Sequence, residues 1–214
     1  MCRIYDLSPL ISPRLAVWPG DTSLWRERLL DCDRGDHITL STIHATVHLG
    51  SHADAHLHFA ARGQGIEAHP LEDYIGACQV IRVGVPPRGK VQAGHLGCEI
   101  VAERVLLATG TYPDPEHFRD DFASLDPRLV DTLHERGVRL VGIDTPSVDP
   151  FSSHDLPAHQ RFLAHRMSLL EGLVLSHVPE GTYELIALPL RLEGFDASPV
   201  RAILRSRNSN GESP

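Results

Sequence analysis

The sequence lacks paired cysteines. Cys2, Cys32, Cys78 and Cys98 are scattered without a CxxC spacing, which argues against a thiolate-rich zinc site and fits reduced thiols in a cytoplasmic protein. It also lacks any run approaching the ~20 apolar residues of a membrane span. The N-terminal MCRIYDLSPLISP holds no apolar stretch of signal-peptide length, so a cytoplasmic location away from membranes is expected. Positive charge is in deficit, with 20 Lys and Arg against 28 Asp and Glu, a formal charge of −8. A chain with that balance has no basic patch to set against phosphates, so nucleic acid is not an expected partner. A G-x-S-x-G elbow is missing too, and with it the positioning turn of that class of serine hydrolase.

What remains is an ordinary globular composition, 42% hydrophobic and 22% charged over 214 residues, enough for one domain with a sizeable core. A single domain is expected over residues 1–205, with the polar segment 206–214 (SRNSNGESP) as a flexible tail. Apolar runs at Gln79–Val85, Arg104–Ala108, Val138–Ile143, Tyr183–Leu190 and Val200–Leu204 read as strands. Asp126-Pro127, the run RLVDTLHER and Gly137 together read as a helix with an N-cap, a first-turn proline and a C-terminal glycine. Pro70–Gly76 reads as a short helix or turn, and Ser168–Val178 as a buried helix or strand. Many strands and few helices predict an α/β or α+β domain on a mixed sheet.

Fourteen histidines are present, and five of them fall between His44 and His58. In HATVHLGSHADAHLHF the even positions carry His44, Thr46, His48, Gly50, His52, Asp54, His56 and His58. The odd positions carry Ala45, Val47, Leu49, Ser51, Ala53, Ala55, Leu57 and Phe59, an almost strict period of two. His44, His48, His52 and His56 would also form a helical stripe, but apolar residues at every second place would then encircle the helix. The segment is therefore read as a strand running into a loop after Gly50. Imidazoles crowded on one face repel when protonated and compete for donors when neutral, and a shared cation relieves both. Neutral imidazole with carboxylate suits Zn²⁺, Mn²⁺ or Fe²⁺. His37, His95, His117, His134 and His177 read instead as ordinary satisfied polar residues.

The segment His48-Leu-Gly-Ser-His52-Ala-Asp54-Ala-His56-Leu-His58 resembles the HxGTHxDxPxH signature of the cyclase-type metal hydrolases. With Val17–Thr22 (VWPGDT), Gly142–Pro150 (GIDTPSVDP) and the DASPVRAIL stretch, the chain is similar to the bacterial metal-dependent kynurenine formamidases. The resemblance implies a swivelling β/β/α fold around a mixed sheet, acting as a homodimer with two divalent ions per subunit, zinc first and manganese second. It implies that His48, His52 and Asp54 hold one ion, and that Asp54 bridges to a second ion held by His159 and Glu171. It places His58 at the acid/base position and Trp18 at a substrate contact, for N-formyl-L-kynurenine cleaved to L-kynurenine and formate in tryptophan degradation. Ser51 stands where the signature has Thr or Ala, and His56 where it has Pro.

Taken one at a time the same residues read differently. Trp18 would be a core residue and His159, beside Pro157, a surface one, while Glu171 lies in the apolar run LLEGLVL, where a buried carboxylate needs a partner. On a continuous helix His159 and Glu171 would be about 18 Å apart and could not share an ion, so the chain must bend between them if both are ligands. Two other functions stay open: another cyclase-type amide or lactam hydrolase, such as one opening isatin, and a closed structural metal module without chemistry.

Overall fold

Every residue of Arg104–Ala108 and of Leu140–Ile143 is buried. Strands enclosed on both faces read as continuous apolar runs, because neither face can be polar. The computed structural model describes residues 2–206. In chain order its strands begin with Ile4–Asp6 (β1), Trp25–Leu30 (β2), Leu40–His44 (β3), His52–Asp54 (β4), Ile75–Arg82 (β5) and Lys90–Val91 (β6). Arg104–Ala108 (β7), Ser124–Leu125 (β8), Leu140–Ile143 (β9), Ser168–Glu171 (β10), Gly181–Ile186 (β11), Ala197–Pro199 (β12) and Ile203–Ser206 (β13) follow. Helices α1 (Pro127–Glu135) and α2 (Pro157–His165) flank β9 in sequence.

Nine strands make one mixed sheet in the order β1-β13-β11-β5-β7-β9-β10-β4-β12. The central β5, β7, β9 and β10 are parallel, and antiparallel strands extend the sheet at both ends. This is the mixed-sheet α/β fold the sequence led us to expect. Side chains of successive residues enter two different cores. Leu106, Leu140 and Leu170 join Tyr74, Cys78 and Leu185 on one face. Val105, Leu107, Val141, Ile143 and Leu169 face Leu129, Leu133 and Phe162 of the two helices on the other. None of the described helices is long and apolar enough to cross a membrane.

Helix α1 forms as expected: the Asp126 carboxylate accepts from Arg128 N–H, Pro127 opens the first turn, and Gly137 follows in the left-handed region. α2 shares only the first-turn proline, Pro157. Its preceding residue, Leu156, offers no capping side chain; the Ala158 and His159 N–H groups donate instead to Asp149, from outside the helix. Four expected strand bounds shift. The strand over 79–85 is Ile75–Arg82, that over 138–143 is Leu140–Ile143, that over 183–190 is Gly181–Ile186, and that over 200–204 is Ile203–Ser206. Ser206 thus ends a strand, pairing with Tyr183, rather than opening a tail, and residues 207–214 lie outside the described residues.

The histidine segment differs most from expectation. Strand character ends at His44, the chain turns through His48 to Gly50, and the strand lies after Gly50, as His52–Asp54. Three residues suffice because β4 pairs on both sides, with β10 and with β12. A close approach fixes the turn. Gly172 has φ +65°, and a Cβ there would lie 2.4 Å from the Gly50 carbonyl oxygen. The Ser51 hydroxyl lies 2.8 and 3.1 Å from the Gly172 and Leu7 carbonyls, which share its one proton.

Candidate metal centre

β4 and β10 are adjacent and antiparallel, with His52 opposite Glu171 and Asp54 opposite Leu169. α2 is followed by Arg166, a left-handed residue, and the chain reverses into β10. That is the bend the His159–Glu171 pair requires, and it brings His159 Nε2 to 3.5 Å from Glu171 Oε1. His159 is buried, not at the surface, and Glu171 is buried among its partners.

Asp54 is the centre of the cluster and is 1% exposed. His48 Nδ1 and His52 Nε2 lie 3.2 and 3.3 Å from its Oδ1, and His159 Nε2 lies 3.4 Å from its Oδ2. Glu171 spans the two sides, with Oε2 3.5 Å from His52 Nε2 and Oε1 accepting from Val148 N–H at 2.7 Å. The other nitrogen of each imidazole is tied down. His52 Nδ1 reaches the Gly50 carbonyl at 2.8 Å, His159 Nδ1 the Asp149 carboxylate at 2.8 Å, and His48 Nε2 the Asp196 carboxylate at 3.0 Å. Anchoring one ring nitrogen fixes which nitrogen is left to bind.

These residues fit divalent ions. Both Asp54 oxygens and His159 Nε2 are buried with no hydrogen-bond partner among the described residues, a costly arrangement unless a cation completes it. Donors about 2.0–2.2 Å from a tetrahedral ion lie roughly 3.3–3.6 Å apart, which matches the separations around Asp54. Donor atoms of His52, Asp54 and Glu171 cluster tightly, as do those of His48, Asp54 and His58. His56 is in neither group. Its Nε2 faces the Met167 carbonyl, and its N–H, which a proline would lack, donates to His69 Nε2.

Protons carry the cluster's charge balance. Burial alone would push the His52 imidazole down, but the Asp54 and Glu171 carboxylates outweigh it and hold it up at about 10. Burial likewise opposes protonation of His159, yet Asp149, Asp54 and Glu171 hold it well above the ordinary histidine value. Asp54 stays ionised despite burial because three imidazoles surround it. A divalent ion must displace those protons, so binding is expected to release at least one proton per chain at pH 7. Affinity should fall as pH falls and protons compete more strongly. Titration calorimetry in two buffers of different ionisation enthalpy reads the release directly; none at all would contradict the assignment.

The cluster borders a cavity of about 580 Å³, whose lining includes His48, His52, His58, His159 and Glu171 together with Trp18, Tyr112 and Phe118. Trp18 is 37% exposed, with its ring against Phe151 at 4.9 Å and Phe118 at 5.5 Å. It is therefore a cavity-wall residue, not a core one. Phe59 packs on His159 at 5.0 Å and is absent from the lining. Sequence reasoning missed Asp196 and Asp149, whose roles depend on contacts that sequence spacing does not reveal.

A mixed sheet that carries a His/Asp/Glu cluster on the wall of an aromatic cavity is an arrangement suited to metal-assisted hydrolysis. The chain belongs to the Cyclase family ("Putative cyclase"), whose model matches residues 5–150. It is similar in structure to a potential metal-dependent hydrolase with cyclase activity, at 26% identity and a TM-score of 0.83, covering 97% of this chain and 100% of the other. A predicted metal-dependent hydrolase from Bacillus stearothermophilus matches at 28% identity and a TM-score of 0.80, with the same coverage. Isatin hydrolase A from Labrenzia aggregata shares the fold at 21% identity and a TM-score of 0.81, covering 97% and 94%.

Proposed function

We propose that this chain is a metal-dependent arylformamidase that hydrolyses N-formyl-L-kynurenine to L-kynurenine and formate. The observation that carries the hydrolytic reading is Asp54, with both carboxylate oxygens buried and unpartnered among three imidazoles beside an open cavity. A closed structural module would have no use for the cavity. His48, His52 and Asp54 would hold one divalent ion, and Asp54, His159 and Glu171 a second, with zinc the first choice for imidazole and carboxylate donors. Such ions would supply Lewis acidity toward the carbonyl and an acidified water. We assign the working form as a cytoplasmic homodimer, following the family resemblance.

Within this chain, His58 takes the proton of the attacking water as the C–O bond forms. It returns that proton to the anilide nitrogen as the C–N bond breaks, leaving formate and the free amine. Burial pushes the His58 imidazole down, so it is neutral and able to accept at pH 7. Trp18 offers its ring face to the substrate's aromatic ring.

A second reading has an observation in its favour: the cavity lining contains neither Lys nor Arg, so no such cation there faces the α-carboxylate of formylkynurenine. Isatin, a neutral planar lactam, needs no such partner. Turnover of formylkynurenine, isatin and an aliphatic formamide at equal metal loading separates these readings. Preference for isatin would replace the substrate and leave the metal chemistry standing. Trp18→Ala is expected to raise KM for the aromatic substrate by roughly 2–10-fold, the scale of one aromatic contact, with metal content unchanged. Unchanged KM would remove Trp18 from the substrate site.

A further inference from the structure

Asp196 precedes β12 and touches the histidine segment twice. Its carbonyl accepts from Ala55 N–H at 2.8 Å, between Asp54 and His56. Its carboxylate oxygen Oδ2 lies 3.0 Å from His48 Nε2 and 3.5 Å from His58 Nδ1. Pairing of Ala197 with Asp54 holds the backbone in register beside the site. The side chain is half-exposed and has no Lys or Arg partner among the described ion pairs, where arginines take most other paired carboxylates. One oxygen therefore faces a proposed metal ligand and the proposed proton shuttle, whose rings are 4.2 Å apart.

We propose that Asp196 is a positioning residue for the reaction: its carboxylate holds His58 by Nδ1–H, so that the unprotonated Nε2 is the nitrogen that accepts the proton from water. The same oxygen receives His48 Nε2–H and leaves His48 Nδ1 to face Asp54. A neutral imidazole has one donor and one acceptor nitrogen, and a carboxylate beside one of them decides which is which. Free imidazole side chains have no such constraint, and a ring held in the opposite tautomer would present a donor where the reaction needs an acceptor. His58 Nδ1 to Asp196 is longer than a tight hydrogen bond, as contacts of catalytic groups often are before substrate binds. Catalysis by His58 is part of the arylformamidase reading, and this inference rests on that reading; the position of the proton on His58 is independent of it.

The test uses the full chain loaded with zinc and labelled with ¹⁵N-histidine, as wild type, Asp196→Ala and Asp196→Asn. Two-bond ¹⁵N–¹H spectra read the tautomer of each ring, and kinetics on formylkynurenine give kcat and KM. The expected wild-type spectrum shows His58 as the Nδ1–H form. In Asp196→Ala that form should be lost, with kcat at saturating zinc lower by roughly 10–100-fold and KM within about twofold; zinc affinity, read separately, is expected to fall as well because His48 loses the same partner. Asp196→Asn, which keeps an acceptor oxygen, should recover part of both the tautomer and kcat. His58 in the Nε2–H form in the wild type, or full kcat in Asp196→Ala, overturns the proposal. If wild type leaves formylkynurenine intact, the substrate reading fails while the tautomer result still decides the role of Asp196.

Discussion

Asp54→Asn is expected to lose metal binding by about 10²–10⁴-fold and hydrolytic activity with it. The carboxylate is 1% exposed, and its two oxygens face three imidazole nitrogens at 3.2, 3.3 and 3.4 Å. Breaking a buried charge cluster by removing one partner costs about 3–5 kcal/mol, because the remaining charges stay buried without compensation. At 1.4 kcal/mol per tenfold, that gives the stated loss in affinity. Asparagine keeps the shape but offers one oxygen and a donor NH₂, so it cannot present oxygen to both sides at once. The measurement is metal content and chelator competition: wild type should approach two ions per chain, and the variant one or none. A variant that keeps both ions at wild-type affinity would place Asp54 outside the site. A wild type that never exceeds one ion after repletion would remove its bridging role and leave a single centre.

Local chemistry explains which parts of this protein were legible in its sequence. The buried strands β7 and β9 declare themselves as uninterrupted apolar runs, and α1 carries its own cap, first-turn proline and terminating glycine. The His-rich signature names His48, His52 and Asp54 together because they sit on one short piece of chain. His159 is different. It lies on α2, which has a first-turn proline, Pro157, but no capping side chain of its own; its first-turn N–H groups are satisfied by Asp149 rather than by an adjacent residue, so the burial of its histidine has no local signal. Glu171 could be singled out only as a carboxylate in an apolar run; its partners arrive through the β4–β10 pairing. The reversed order of turn and strand around Gly50 has the same origin. Alternation of polar and apolar residues indicates an extended chain, but pairing with β10 and β12 decides which three residues become strand. His56 occupies a polar position of the alternation yet turns away from the metal cluster, because the chain enters a short 3₁₀ turn at that residue.

His58→Ala is expected to keep the metal and lose roughly 10²–10⁴ in kcat, the usual contribution of a positioned acid or base. Two features of the structure bear on this. His58 is half-exposed on the cavity wall, whereas His52 and His159 are buried, so it can meet water and substrate. Burial lowers its affinity for a proton, which makes it a neutral acceptor at pH 7 rather than a fixed cation. The competing arrangement is equally specific: His58, His48 and Asp54 bring donor atoms close enough to surround one ion. A ligand and a shuttle respond differently to removal. If His58 moves protons, His58→Ala retains wild-type metal content and affinity, and a small exogenous base such as imidazole restores part of kcat. If His58 is a ligand, metal affinity falls about 10–100-fold or more and raising metal concentration, not added base, restores activity. His56 is no substitute in either case, since its ring is engaged by the Met167 carbonyl and packs against His69, away from the cavity.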